Sequence, residues 1–152
     1  ISCSQKQTSS RIRTNDPGVL GNLVSEEDYR TSIPRVLFVD NYDGDTFTIN
    51  IPWAHPLFGE KISVRVRGID SPEIKGKSPC EKEQAFQAKK LVHEKLSQAR
   101  SIKLVNVARD KYFRILADIE FDGESLSSVL IREKLAVPYD GGTKLKVDWC
   151  GR

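Results

Sequence analysis

Three short segments of period-two apolar alternation, an amphipathic helix after the third, and two more strand-like segments before a last helix predict an α+β, mainly β domain. Five short strands with a helix inserted after the third suit a small five-stranded barrel of the OB type. The 152 residues fit one domain, and an apolar share of 38% is enough for one modest core.

Residues 1–33 are polar, rich in Ser, Gln, Thr and Asn, and read as an N-terminal arm ahead of a domain over 34–152. Within the arm, Ser25-Glu26-Glu27-Asp28 can start one helical turn, with Ser as cap and acids in the first turn. From Arg35 the period changes to two: Val36 and Phe38 alternate with Leu37 and Val39. Asn41-Tyr42-Asp43-Gly44 carries hairpin chemistry. Phe47, Ile49 and Ile51 then form the apolar face of a second strand, and Pro52–Glu60 a loop. In the third strand Ile62, Val64 and Val66 share one face, with Ser63, Arg65 and Arg67 on the other.

Ser78-Pro79-Cys80-Glu81 is a helix start: Ser caps, Pro suits the first helical position, and Glu81 completes a capping box. Ala85, Phe86, Ala88, Val92, Leu96 and Ala99 recur at helical spacing to about Arg100. Strands are expected over 102–107 and 113–120, then a turn at Phe121-Asp122-Gly123-Glu124 and a helix over 125–135.

A net charge of +3, from 24 basic and 21 acidic residues, is compatible with a polyanionic ligand without demanding one. No apolar run approaches the roughly 20 residues that span a bilayer, so no stable membrane span is expected. Cys80 and Cys150 are either a disulfide pair or two free thiols; spacing alone leaves both open. Ile1-Ser2-Cys3-Ser4 resembles the end of a bacterial lipoprotein signal, so an extracytoplasmic protein, secreted, periplasmic or lipid-anchored through Cys3, is the expectation.

Four pieces carry chemistry: Asp43-Gly44-Asp45-Thr46, Arg65, Asp70-Ser71-Pro72-Glu73, and Asp110-Lys111-Tyr112-Phe113-Arg114. Each has a bland reading. The first can be only a hairpin turn, the third a strand exit, Arg65 and Arg67 a solvated face, and Asp110 with Arg114 a surface ion pair of small worth. All of these holding together, in this order, is far less plausible than one site. His55 and His93 have no carboxylate or Cys partner nearby in sequence and read as non-catalytic.

Together, from about Val36 to Tyr139, the motifs resemble the thermonuclease (staphylococcal nuclease-like) family. Val39–Thr46, Val64–Glu73 and Asp110–Ala117 match, and Leu130–Ala136 looks like that family's last helix. The resemblance implies a calcium-dependent nuclease acting on DNA and RNA with low sequence specificity, leaving a 3′-phosphate. It further implies that Asp45, Asp70 and the Ser71 carbonyl hold Ca²⁺, with Asp43 supporting the metal from outside. Glu73 matches the residue that orients or deprotonates water, and Arg65 and Arg114 match the two arginines that grip phosphate. Lys111, Tyr112 and, in a looser register, Tyr139 fall on nucleotide-pocket positions. A monomer with no obligate protein partner is expected.

The chemistry is consistent with these roles. Ca²⁺ takes six to eight oxygen ligands at roughly 2.3–2.6 Å, so two carboxylates and a carbonyl leave positions open for water and phosphate. Arginine presents a planar fork that matches two phosphate oxygens, which lysine does not. Phe113 departs from the family, which often has a small residue there, and Pro52–Glu60 differs in length and content; Trp53 and Phe58 either stack on nucleic acid or cover the barrel end.

Overall fold

A computed structural model describes residues 31–152; the Ser25–Asp28 turn, Cys3 and nearly all of the polar arm lie outside the described residues. The strands are β1 (Leu37–Asn41), β2 (Thr46–Asn50), β3 (Ile62–Val66), β4 (Ile69–Asp70), β5 (Ile102–Arg109), β6 (Ile115–Phe121), β7 (Glu124–Ser125) and β8 (Val137–Pro138). The helices are α1 (Pro56–Gly59), α2 (Pro79–Gln98) and α3 (Leu126–Arg132). The main sheet runs β1-β2-β3-β6-β5, with β7 added to β6, and β4 pairs only with β8.

The five expected strands all lie in this sheet. All of its pairings are antiparallel except β3 with β6, which is parallel and is joined by the long connection through α2 and β5 that such a pair needs. Ile33 is bridged to Leu104, and the Val36 N–H donates to the Ile102 carbonyl. The chain entering β1 therefore meets β5, and the two ends of the strand order are drawn together along a short seam.

The inward faces are those the alternation marks. Phe47 and Ile49 of β2, Val64 and Val66 of β3, and Leu104, Ala117 and Ile119 of β5 and β6 are buried, while Leu37 and Val39 stay exposed. α2 starts as expected, its Ser78 Oγ accepting from the Glu81 N–H at 3.2 Å. Ala85, Ala88, Val92 and Leu96 form its buried stripe. Phe86 is a correction: it sits on the wet flank, 58% exposed, because a 3.6-residue period rotates it past the edge of that stripe.

α3 stops at Arg132, three residues earlier than the spacing suggests. Lys134 takes a left-handed φ of 60°, and the Leu135 N–H returns to the Leu130 carbonyl. This is a helix stop of the Schellman kind made without the usual glycine. Inside Pro52–Glu60 the structure has one helical turn, α1, entered through Pro56 and capped by His55 Nδ1 accepting from the Leu57 N–H. Cys80 and Cys150 form a disulfide. No helix among the described residues is long and apolar enough to cross a membrane.

Candidate active site

The β1–β2 hairpin is built by its own side chains. Asp43 Oδ1 accepts from the Asp45 N–H at 3.1 Å and the Thr46 N–H at 2.8 Å, an Asx turn that bends the chain and presents Asp45. Asn41, buried, donates from Nδ2 to the Asp43 carbonyl and, at 2.9 Å, to the Lys89 carbonyl, fixing the hairpin on α2. A Cβ at Gly44 would stand 2.8 Å from Ala88 Cβ and 2.9 Å from Ser71 Cβ. Glycine is required here by close packing of three segments.

Asp45 is buried at the start of β2. Its Oδ2 accepts from the Ser71 N–H at 2.9 Å and pairs with Arg65 Nη1 at 2.7 Å. Arg65, on β3, also donates from Nη2 to the Ile69 carbonyl and reaches Asp70 Oδ1 at 3.4 Å. Asp70 is set by the β4–β8 pairing, opposite Val137. Glu73, exposed on the loop beyond, turns its carboxylate to Lys144 Nζ at 3.1 Å, and the same ammonium lies 2.8 Å from Asp70 Oδ1.

On the opposite wall Asp110 organises the β5–β6 loop. Its Oδ1 accepts from the Tyr112 and Arg114 N–H groups, and its Oδ2 accepts from Arg114 Nε at 2.7 Å. That contact orients the Arg114 guanidinium through Nε, leaving the two terminal nitrogens without a hydrogen bond among the described residues. The Arg114 and Lys111 cations lie 5.4 and 5.2 Å from the Tyr112 ring centroid. Phe113 holds a left-handed φ of 66° and is 78% exposed, its ring under the Arg109 guanidinium.

Electrostatics follow the crowding of acids. Burial, and then the neighbouring Asp45 carboxylate, push Asp43 up to about 6. Burial also disfavours charge on Asp110, but the bonds from Arg114 and Tyr112 outweigh it and hold that carboxyl below its usual range. Burial opposes the Lys144 charge as well; Asp70 and Glu73 outweigh it and raise the ammonium above the ordinary lysine value.

One cleft of about 580 Å³ gathers nine of the ten residues singled out in the sequence: Asp43, Asp45, Arg65, Ser71, Glu73, Lys111, Tyr112, Arg114 and Tyr139. Asp70 is the exception. It lines the two adjoining grooves and is linked to the cleft through Arg65 and Lys144. Sequence reasoning passed over two residues. Asp110 was weighed only as a surface pair, although its two backbone contacts lie within four residues and an Asx turn was a readable signal. Lys144 gave no signal, since its partners are about 70 positions away.

Two carboxylates bound to an arginine on the central strand β3, facing a second arginine across an aromatic-lined cleft, define a mixed-sheet domain with a site built to grip an anion. The family model described as staphylococcal nuclease homologue matches residues 63–146, and the chain belongs to that family. A probable endonuclease from Schizosaccharomyces pombe is 34% identical over 92 residues, 56% of this chain and 40% of that protein. The chain thus spans less than half the length of that curated relative. The matched stretch holds every cleft residue from Arg65 onward; the hairpin with Asp43 and Asp45 precedes it.

Proposed function

We propose that this chain is a calcium-dependent nuclease that hydrolyses phosphodiester bonds of DNA and RNA with little regard to sequence. The observation that carries the reading is the single cleft lined by Asp45, Arg65, Glu73, Arg114 and Tyr112. Among the described residues no three His, Cys, Asp or Glu side chains gather in a metal-holding arrangement. The donor set in this reading, taken from the family resemblance, is the Asp45 and Asp70 carboxylates with the Ser71 carbonyl, and Asp43 shapes the hairpin behind them. All of these are hard oxygens, as Ca²⁺ prefers, and a cation already stands at their edge in the form of Lys144. Bound there, calcium would offset the charge that develops on the phosphoryl oxygens.

The chain's own residues supply the rest. Glu73 accepts a hydrogen bond or a proton from the attacking water. The water oxygen bonds to phosphorus, the P–O5′ bond breaks, and the departing O5′ takes up a proton from solvent, leaving a 3′-phosphate and a 5′-hydroxyl. Arg114, steered by Asp110, offers both terminal nitrogens to phosphate, and Arg65 supports the same group from the carboxylate wall. Such donors are each worth about 10²–10³ in rate when aimed at developing charge. Lys111, Tyr112 and Tyr139 hold the nucleotide by charge and stacking, which reads no sequence. Extracytoplasmic residence belongs to the same reading, since the Cys80–Cys150 disulfide suits an oxidising compartment.

The test is digestion of plasmid and heat-denatured DNA with Ca²⁺, with Mg²⁺ and with a chelator. Cleavage is expected with Ca²⁺ and is expected to stop with chelator; a folded protein that cuts neither substrate under any condition overturns the reading. Glu73→Gln is expected to lower the rate about a hundredfold or more while DNA binding persists.

A further inference from the structure

The acidic end of the cleft already holds a cation, and the chain itself provides it. Lys144 Nζ sits 2.8 Å from Asp70 Oδ1 and 3.1 Å from Glu73 Oε1. One of these carboxylates is a proposed metal ligand and the other the proposed acceptor for water. Lys144 belongs to a segment, 139–150, fastened at both ends. At its start, β8 pairs with β4 and the Tyr139 N–H donates to the Gly68 carbonyl. At its far end Trp149 is buried and Cys150 is bonded to Cys80 in the first turn of α2. Between the fastenings the chain is exposed, with Leu145 at 83%. Lys144, its side chain half exposed, is therefore held over Asp70 and Glu73 by a strap and by charge.

We propose that Lys144 is a tethered occupant of the cation position, and that Ca²⁺ binds by displacing its ammonium from Asp70 and Glu73. The inference rests on the calcium reading above. A lysine ammonium is a compact point charge on a flexible stem, so it can neutralise paired carboxylates and then swing aside. Because it is tethered, it competes at a high effective concentration. Without metal, it keeps the acids from repelling one another. Once metal is bound, the released ammonium stays beside the cleft.

The experiment is calorimetric titration of CaCl₂ into nucleic-acid-free protein at 0.15 M salt, where the Debye length of about 8 Å screens distant charges far more than contacts. Wild type is compared with Lys144→Ala, Lys144→Arg and Lys146→Ala. Lys146 is an exposed neighbour on the same strap that forms no ion pair with Asp70 or Glu73. Lys144→Ala is expected to tighten Ca²⁺ binding at least tenfold, Lys144→Arg to stay near wild type, and Lys146→Ala to change it less than twofold. Equal or weaker binding by Lys144→Ala overturns the proposal and leaves the calcium site standing. An equal gain from Lys146→Ala also overturns it, reducing Lys144 to one more nearby charge. Absence of Ca²⁺ binding in both wild type and Lys144→Ala overturns the proposal together with the calcium reading.

Discussion

Gly44→Ala tests how tightly the hairpin is seated. The added methyl would lie 2.8 Å from Ala88 Cβ and 2.9 Å from Ser71 Cβ, about 1 Å inside ordinary carbon contact. Neither neighbour can rotate away, since both are Cβ atoms fixed to their backbones. The hairpin cannot rise freely either, because Asn41 Nδ2 is bound to the Lys89 carbonyl. Overpacking of this kind costs about 1–3 kcal/mol, which lowers the melting temperature by about 4 °C per kcal/mol in a domain of this size. Whatever movement relieves the clash also separates Asp45 from the Ser71 N–H. Activity should therefore fall beyond what the lost stability explains, when assayed well below the melting point. Urea unfolding of Gly44→Ala, Ala88→Gly and the double variant gives the coupling. The Ala88→Gly change costs about 1 kcal/mol alone in a helix interior but should recover part of the loss in the Gly44→Ala background. Strictly additive effects would refute the contact argument.

Asp110→Asn should lower stability by about 1–2 kcal/mol at neutral pH, since the charge-assisted bond to Arg114 Nε is weakened. Because the folded Asp110 carboxyl lies below its unfolded value, its contribution is present at neutral pH and fades as pH falls through the carboxylate range. The gap in urea midpoint between wild type and variant should therefore narrow steadily as pH falls below the ordinary carboxylate range; a constant gap would contradict this. Phe113→Gly should raise stability by up to about 1 kcal/mol, because a left-handed conformation costs an L residue about 1–2 kcal/mol and glycine's freedom in the unfolded chain returns part of that. If the exposed ring stacks on a base, the same variant should bind single-stranded DNA more weakly, measured by fluorescence anisotropy; unchanged binding would assign Phe113 no part in recognition.

Local chemistry was legible and distant chemistry was not. The alternation of Phe47 and Ile49 or of Val64 and Val66 states which face is buried, and Ser78-Pro79 states where α2 begins. The Asp-Gly pair at 43–44 announced a turn, yet the reason for glycine is Ala88 and Ser71, which no local window contains. The end of α3 was missed because Lys134 adopts the left-handed conformation that sequence reading assigns to glycine. The approach of Lys144 to Asp70 depends on the β4–β8 pairing and on a disulfide whose partners are 70 positions apart, so no spacing rule could foresee it.

The Cys80–Cys150 bond closes the polypeptide into a ring, and the cleft straddles the boundary of that ring. Asp43, Asp45, Arg65, Ser71 and Glu73 all precede Cys80, whereas Lys111, Tyr112, Arg114, Tyr139 and Lys144 all lie inside the loop it closes. Strands of the two groups meet in the parallel pairing of β3 with β6, through Val64–Ile115, Arg65–Leu116 and Val66–Ala117, and in the short β4–β8 pair. A single backbone cut in the exposed 110–114 turn would leave both fragments covalently joined, with these pairings still able to hold the two walls in register. A protease that nicks the lip of this cleft would thus leave one molecule on a non-reducing gel and two pieces once the bond is reduced.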